Sequence, residues 1–243
     1  MKKTKENKKS IFITILKAFL LFVIVYTSLS LIIIFLFNFI SPPTSSFIEI
    51  ERKTISFNFD IEDSIKQTWI PVNRISSNMI LAVIASEDQR FFDHSGFDLI
   101  EIEKAIDDIQ NQKRQRGAST ISQQVAKNLF LFPSKKLLRK GLELYFTVLI
   151  ELVMPKKRIL EIYLNYAEFG QNIYGVEEAA KFYFNKSGSY LNNYEAAMLA
   201  AVLPSPKRRD INNPSQNLIN RKDKIIEKME SLGGVEYINQ FIK

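Results

Sequence analysis

The order of apolar and polar positions divides the chain into one uninterrupted apolar run, a short mixed stretch and a long helical remainder. From Ala18 to Ile40 there are 23 residues without a charge, dominated by Leu, Ile, Val and Phe. About 20 such residues in a helix cross a hydrocarbon core of roughly 30 Å, so residues 18–40 are expected to form a single transmembrane helix. A cleaved secretory signal fits less well, because its apolar stretch runs to only about 7–15 residues before a small-residue cleavage site. Ser41-Pro42-Pro43 is a poor match to such a site, and a buried core helix is the third alternative.

Residues 41–75 read as a linker. Ser41-Pro42-Pro43-Thr44-Ser45-Ser46 suits a short, stiff exit, and the alternation in Phe47–Glu51 and Ile55–Phe59 predicts short extended segments. From about Ser76 the pattern is helical. Ser76 and Ser77 can cap a helix running through Met79, Leu81, Ala82, Ile84 and Ala85 toward Glu87. A long apolar-rich helix is expected over Leu137–Met154, stopping before Pro155, and another over Lys156–Ala167. Asn192 opens a third with Glu195 placed as in a capping box, and its alanines permit close packing before it ends at Pro204. The expected organisation is a lysine-rich tail (1–17), the spanning helix (18–40), the linker (41–75) and one mostly α-helical domain (76–243).

Charge settles orientation and removes one class of partner. Residues 1–40 carry six lysines and one glutamate, a net +5 of the chain's +7. A lysine excess before a span marks its cytoplasmic side, so the domain is expected outside the cytoplasm. The remaining +2 leaves residues 41–243 close to neutral, which gives no argument for nucleic acid. With one histidine and no cysteine, a thiolate zinc site, a disulfide framework and a histidine-dependent triad are all excluded in practice.

Four clusters could carry chemistry, and each has an ordinary structural explanation beside it. Glu87-Asp88-Gln89-Arg90-Phe91-Phe92-Asp93-His94-Ser95-Gly96 puts paired carboxylates at the end of an apolar helix, where a solvated terminus is the common case. His94 is expected to be a packed, hydrogen-bonded residue. Gly117 to Asn128 is a glycine and two hydroxyl residues entering a helix, with Thr120, Gln123, Gln124, Lys127 and Asn128 spaced along one face. Free N–H groups at such a start favour an anion, and the plain reading is a capped surface helix. Lys135-Lys136-Leu137-Leu138-Arg139-Lys140 places four cations in six residues ahead of Glu143, either a pyrophosphate grip or a charged helix start. Lys156 to Asn165 is an amphipathic helix whose apolar positions belong to a core.

Together and in this order, the clusters resemble the signature of the peptidoglycan glycosyltransferase family. Glu-Asp-x-x-Phe-x-x-His-x-Gly corresponds to Glu87, Asp88, Phe91, His94 and Gly96. Gly-x-Ser-Thr-Ile-x-Gln-Gln-x-x-Lys-Asn corresponds to Gly117 through Asn128, and Arg-Lys-x-x-Glu to Arg139, Lys140 and Glu143. Lys-x-x-Ile-Leu-Glu-x-Tyr-Leu-Asn corresponds to Lys156 through Asn165, and a last element resembles Glu195 through Pro206. The likeness covers residues 75–215, with its motifs within 87–206. The apolar run, and a chain ending at Lys243 without a penicillin-binding domain, resemble the monofunctional biosynthetic members.

The resemblance implies a lysozyme-like helical domain that polymerises lipid II into β-1,4-linked glycan strands, with inversion at the donor anomeric carbon and release of undecaprenyl pyrophosphate. It implies Glu87 as the base acting on the acceptor 4-hydroxyl, and Glu143 as the group that stabilises developing positive charge or assists the leaving group. Asp88, Ser119, Thr120, Gln123, Gln124, Lys127, Asn128, Lys135, Arg139 and Lys140 are the expected substrate contacts. Lys135 stands where the family often has Arg, keeping the charge and losing the bidentate fork. Phe130-Leu131-Phe132-Pro133 is implied to dip toward lipid. No dedicated metal ligands are visible, so Mg²⁺ or Mn²⁺ would act through the substrate's pyrophosphate. Expected partners are lipid II, the growing lipid-linked chain, the bilayer of the inner membrane and other cell-wall synthesis proteins. The alternatives are a lytic transglycosylase or lysozyme-like hydrolase, which has no need of the cations, and a non-catalytic membrane scaffold.

Overall fold

A computed structural model describes residues 2–57, 65–111, 117–134 and 136–242. The chain forms two units, residues 1–41 and 42–243. The first is helix α1, Lys2–Leu36. Its apolar stretch is Ile11–Leu36, 26 residues, starting seven residues before the expected boundary and ending four before it. At 1.5 Å per residue this is about 39 Å, long enough to cross a hydrocarbon core. Its large side chains face outward, Phe12 at 66% and Phe22 at 64% exposure. Lys17 lies inside this stretch, where a long aliphatic stem lets its ammonium reach toward an interface.

The second unit is mostly helical, as expected. It holds α2 (Ser46–Phe57), α3 (Ser77–Glu87), α4 (Leu99–Gln110), α5 (Ile121–Phe130), α6 (Leu137–Val153) and α7 (Lys156–Tyr166). After these come α8 (Val176–Phe184), α9 (Asn193–Val202), α10 (Gln216–Ser231) and α11 (Val235–Ile242). Apolar α3 is the central rod, with Met79 through Ala85 all buried and α9, α10 and α11 packed around it. All four alanines of α9 are fully buried, which lets the two helices approach closely. The Asn192–Glu195 capping box is formed in both directions. Ser76 stands at the start of α3, but its hydroxyl donates to the Leu191 carbonyl at 2.6 Å instead of capping the helix.

The linker expectation needs correcting. The residues expected to be extended at 47–51 belong to α2, and of the second segment 55–57 end the same helix while 58–59 lie outside the described residues. Local chemistry explains the outcome. Ser45 Oγ accepts from Ile48 N at 3.3 Å as an N-cap, and Glu49 pairs with Arg52 one turn on at 2.5 Å. Ile48 is buried and Ser46 Oγ donates to the Leu129 carbonyl at 2.7 Å, docking α2 on α5. Alternation over five residues is weak against a cap, ion pairing and tertiary contact.

A small sheet also escaped the periodicity, since strands of two or three residues carry no pattern. β1 (Lys66–Gln67), β2 (Glu168–Gly170) and β3 (Ile173–Tyr174) lie in the order β1-β3-β2. β1 pairs parallel to β3, Lys66 opposite Ile173, and β2 pairs antiparallel with an irregularity between Glu168 and Gly170. Asn165 ties this corner to α7. Its amide accepts from Ile70 N at 2.8 Å and donates to Ile70 O at 2.9 Å, as a strand would. Gly175 has φ +82°, and a Cβ there would lie 2.7 Å from the Asn165 carbonyl, so only glycine fits.

Candidate active site

Glu87 is the last residue of α3, and the next turn of chain is anchored inward. Asp88 is buried, with one oxygen 2.8 Å from His94 Nε2 and the other accepting from Ile121 N at 3.0 Å. His94 is therefore the packed, hydrogen-bonded residue expected, its side chain 6% exposed. The loop returns through Gly96 at φ +88°, where a Cβ would meet Thr147 and Glu151 at 2.8 and 2.9 Å. The Gly96 carbonyl accepts from Thr120 Oγ1 at 2.7 Å. Loop and α5 are thus locked together before any ligand is considered.

The start of α5 is satisfied from within. Thr120 Oγ1 accepts from Gln123 N at 3.2 Å, and Gln123 Oε1 accepts from Thr120 N at 3.0 Å. This is a full capping box, and with Asp88 on the Ile121 amide the helix's positive end already faces a carboxylate. Asp88, Thr120 and Gln123, all expected to touch substrate, are turned inward and set the position of the helix. Ser119 is exposed at the edge of the cleft, and Asn128 is half-buried farther along α5.

One turn into α5 the chemistry begins. Gln124 Nε2 donates to Glu87 Oε2 at 2.9 Å, and Ser86 Oγ donates to Glu87 Oε1 at 3.1 Å. From α10, Arg221 Nη2 lies 3.6 Å from the same Oε1 and donates to Ser86 Oγ at 3.2 Å. Ser86 and Arg221 were missed in the sequence; one is a small polar residue beside a motif, the other lies beyond the last motif. Arg-Lys at 221–222 on an otherwise amphipathic helix gave no spacing to read.

Three residues after Gln124, Lys127 feels both carboxylates and the cations of α6. Burial lowers its ammonium pKa from the usual lysine value; Glu143 and Glu87 oppose the fall, and Arg139 and Lys140 add to it. Lys127, Glu87, Glu143, Arg139 and Lys140 thus share one electrostatic neighbourhood. The Lys127 ammonium lies over the ring of Phe47 of α2, 5.5 Å from the centroid. Glu143 is buried on α6, one oxygen accepting from Arg139 Nη1 and the other from Lys140 Nζ, both at 2.5 Å. Arg139 Nε also donates to the Ser134 carbonyl at 2.5 Å, fixing its fork. Lys135 lies outside the described residues.

A cleft of about 1320 Å³ opens beside Glu87, lined among others by Ser119, Gln124, Arg209, Arg221 and Lys224. The expectation for Phe130–Pro133 needs revision: Phe130 stacks on Phe146 at 4.6 Å and Leu131 is buried. The exposed apolar side chains here are Phe132, Leu137 and Leu138 at 52%, 88% and 76%. Among the described residues, Asp88, His94 and Asp98 bring ligand atoms within 4.8 Å of one another. Asp88 is engaged as above, and Asp98 Oδ1 caps α4 and pairs with Arg90 at 3.1 Å, a cation that opposes a second one.

Comparison with known proteins identifies the family. Residues 53–230 match the family model described as Transglycosylase. A "Biosynthetic peptidoglycan transglycosylase" of Chromohalobacter salexigens is 45% identical over 223 residues, covering 91% of this chain and 95% of the relative. The protein of that name from Yersinia pseudotuberculosis is 53% identical over 173 residues, 71% of this chain and 72% of its own length. By this match and these relatives, the chain belongs to the transglycosylase family.

Proposed function

We propose that this enzyme polymerises lipid II into β-1,4-linked glycan strands, with Glu87 as the base. The observation that carries the reading is the pair of held carboxylates, Glu87 receiving Gln124 of α5 at 2.9 Å and Glu143 receiving Arg139 and Lys140 at 2.5 Å, with Lys127 of α5 within the electrostatic reach of both. A base beside a cationic pocket is what transfer from a pyrophosphate requires. Glu87 takes the proton of the acceptor 4-hydroxyl while that oxygen bonds the donor anomeric carbon. The bond from that carbon to the pyrophosphate oxygen breaks, the pyrophosphate leaves with the electron pair, and the configuration inverts. Lys127, Lys140 and the unused guanidinium donors of Arg139 receive the leaving group's charge, Arg139 as a fork and the lysines as point charges. Glu143 holds Arg139 and Lys140 side by side and offsets positive charge developing at the sugar. Mg²⁺ or Mn²⁺ would act through the pyrophosphate itself.

The chemistry of the substrate agrees with an anchor. Lipid II keeps its tail in a bilayer, and α1 has the length and composition of a spanning helix. The lysines that precede its apolar stretch favour a cytoplasmic start, with the catalytic domain on the outer face of the inner membrane. The test is purified lipid II with wild type and Glu87→Gln, products separated by length. Glycan chains from the wild type and none from a folded variant are expected; full polymerisation by the variant would overturn the assignment of the base.

A further inference from the structure

Tyr163 of α7 is enclosed, 2% exposed, and an enclosed hydroxyl needs a partner. It donates to Gln124 Oε1 at 3.3 Å, and Gln124 Nε2 donates to Glu87 Oε2 at 2.9 Å. A glutamine amide has one accepting end and one donating end, exchanged by a half-turn of its last torsion. Turned the wrong way, it would present a carbonyl oxygen to a carboxylate. The carboxylate only accepts, so both ends are satisfied in one orientation alone, with the NH₂ toward Glu87 and the carbonyl oxygen receiving the phenol's proton. Burial, reinforced by Glu87 and Asp88, raises the phenol well above its ordinary pKa, so it remains a donor at every working pH.

We propose that Tyr163 is a positioning residue for the catalytic base: its hydroxyl donates to the Gln124 carbonyl oxygen and holds the amide in place with its NH₂ facing Glu87. The inference rests on the assignment of Glu87 as base and adds a relay that runs from α7 through α5 to the end of α3. Tyr163 does not meet substrate in this account. It acts only through Gln124, and that restriction makes it testable.

Tyr163→Phe removes one oxygen and keeps the ring. In lipid II polymerisation by the full chain, kcat should fall about tenfold with KM changed less than about twofold, the loss of one hydrogen bond's worth of alignment. The acidic limb of the kcat–pH profile should move to higher pH, because an ionised carboxylate deprived of a donor is easier to protonate. In a Gln124→Ala background the same substitution should change neither kcat nor the limb. An unmoved acidic limb in Tyr163→Phe, or an undiminished tenfold loss in the Gln124→Ala background, would overturn the inference. Glu87→Gln separates the two levels: if that variant polymerises, the base assignment fails, whereas a silent Tyr163→Phe beside a dead Glu87→Gln defeats the relay alone.

Discussion

Arg221 Nη2 stands 3.6 Å from Glu87 Oε1, although the two residues are 134 positions apart and no motif includes the arginine. The guanidinium also donates to Ser86, so it reaches Glu87 both directly and through that hydroxyl. Arg221→Ala should lower kcat for lipid II by about ten- to a hundredfold, in line with the loss of a charged hydrogen-bonding partner. With a side chain 34% exposed, its contribution to stability is small, so thermal unfolding should move little. Steady-state kinetics beside a melting curve checks both halves.

Arg139 and Lys140 hold the same carboxylate and should fail differently. The Arg139 side chain is 14% exposed and Lys140's is 40%. Arg139→Ala leaves buried Glu143 without its better-shielded partner, a loss of about 3 kcal/mol or a fall of roughly 6–12 °C in melting temperature. Lys140→Ala should barely change melting but weaken lipid II binding. Unaltered affinity in Lys140→Ala would argue against its role in the pyrophosphate grip.

Stability should depend on pH through Glu168, far from the chemistry. Burial raises its carboxyl from 4.5 to about 7; Lys207 opposes the rise and Glu51 adds to it. Lys207 Nζ is 3.6 Å away, an ion pair without a hydrogen bond. A raised acid binds its proton more tightly folded than unfolded, so its contribution is present below about pH 4.5 and is lost as pH climbs through about 7. Wild type should therefore lose up to about 3 kcal/mol across that window, and Glu168→Gln should flatten the slope. Unfolding midpoints at several pH values provide the measurement.

Thr120 was expected at the substrate and faces the Gly96 carbonyl and the Gln123 amide instead. Thr120→Val should cost about 1–2 kcal/mol of stability through the lost cap, and lower kcat because α5 carries Gln124. If melting is unchanged while affinity for lipid II falls, Thr120 is a direct substrate contact after all.

What was legible in the sequence was what repeats or caps. The apolar run, the α6 and α7 boundaries set by Pro155, and the Asn192–Glu195 box each depend on neighbours in the chain. The resemblance placed Glu87, Gln124 and Glu143 in one list, but not the inward turn of Asp88, Thr120 and Gln123. Nothing local distinguishes a hydroxyl that meets a ligand from one that caps its own helix. Arg221 was hidden for the opposite reason, and Tyr163, though it stands in a motif, was read only as core: their partners lie on other helices, and only packing brings them together. At α2, a five-residue alternation was outweighed by a serine cap and the docking of Ile48.

The locked start of α5 makes that helix a ruler. Asp88 and the Thr120–Gln123 box pin its first turn, so Gln124 and Lys127 sit at fixed marks about 4.5 Å apart along the axis. The spacing between the residue that holds Glu87 and the lysine is then set by helix pitch, which side-chain substitution cannot stretch. Insertion or deletion of a single residue between Gln124 and Lys127 would rotate one mark by about 100° relative to the other, separating the partner of Glu87 from the lysine in a protein that still folds.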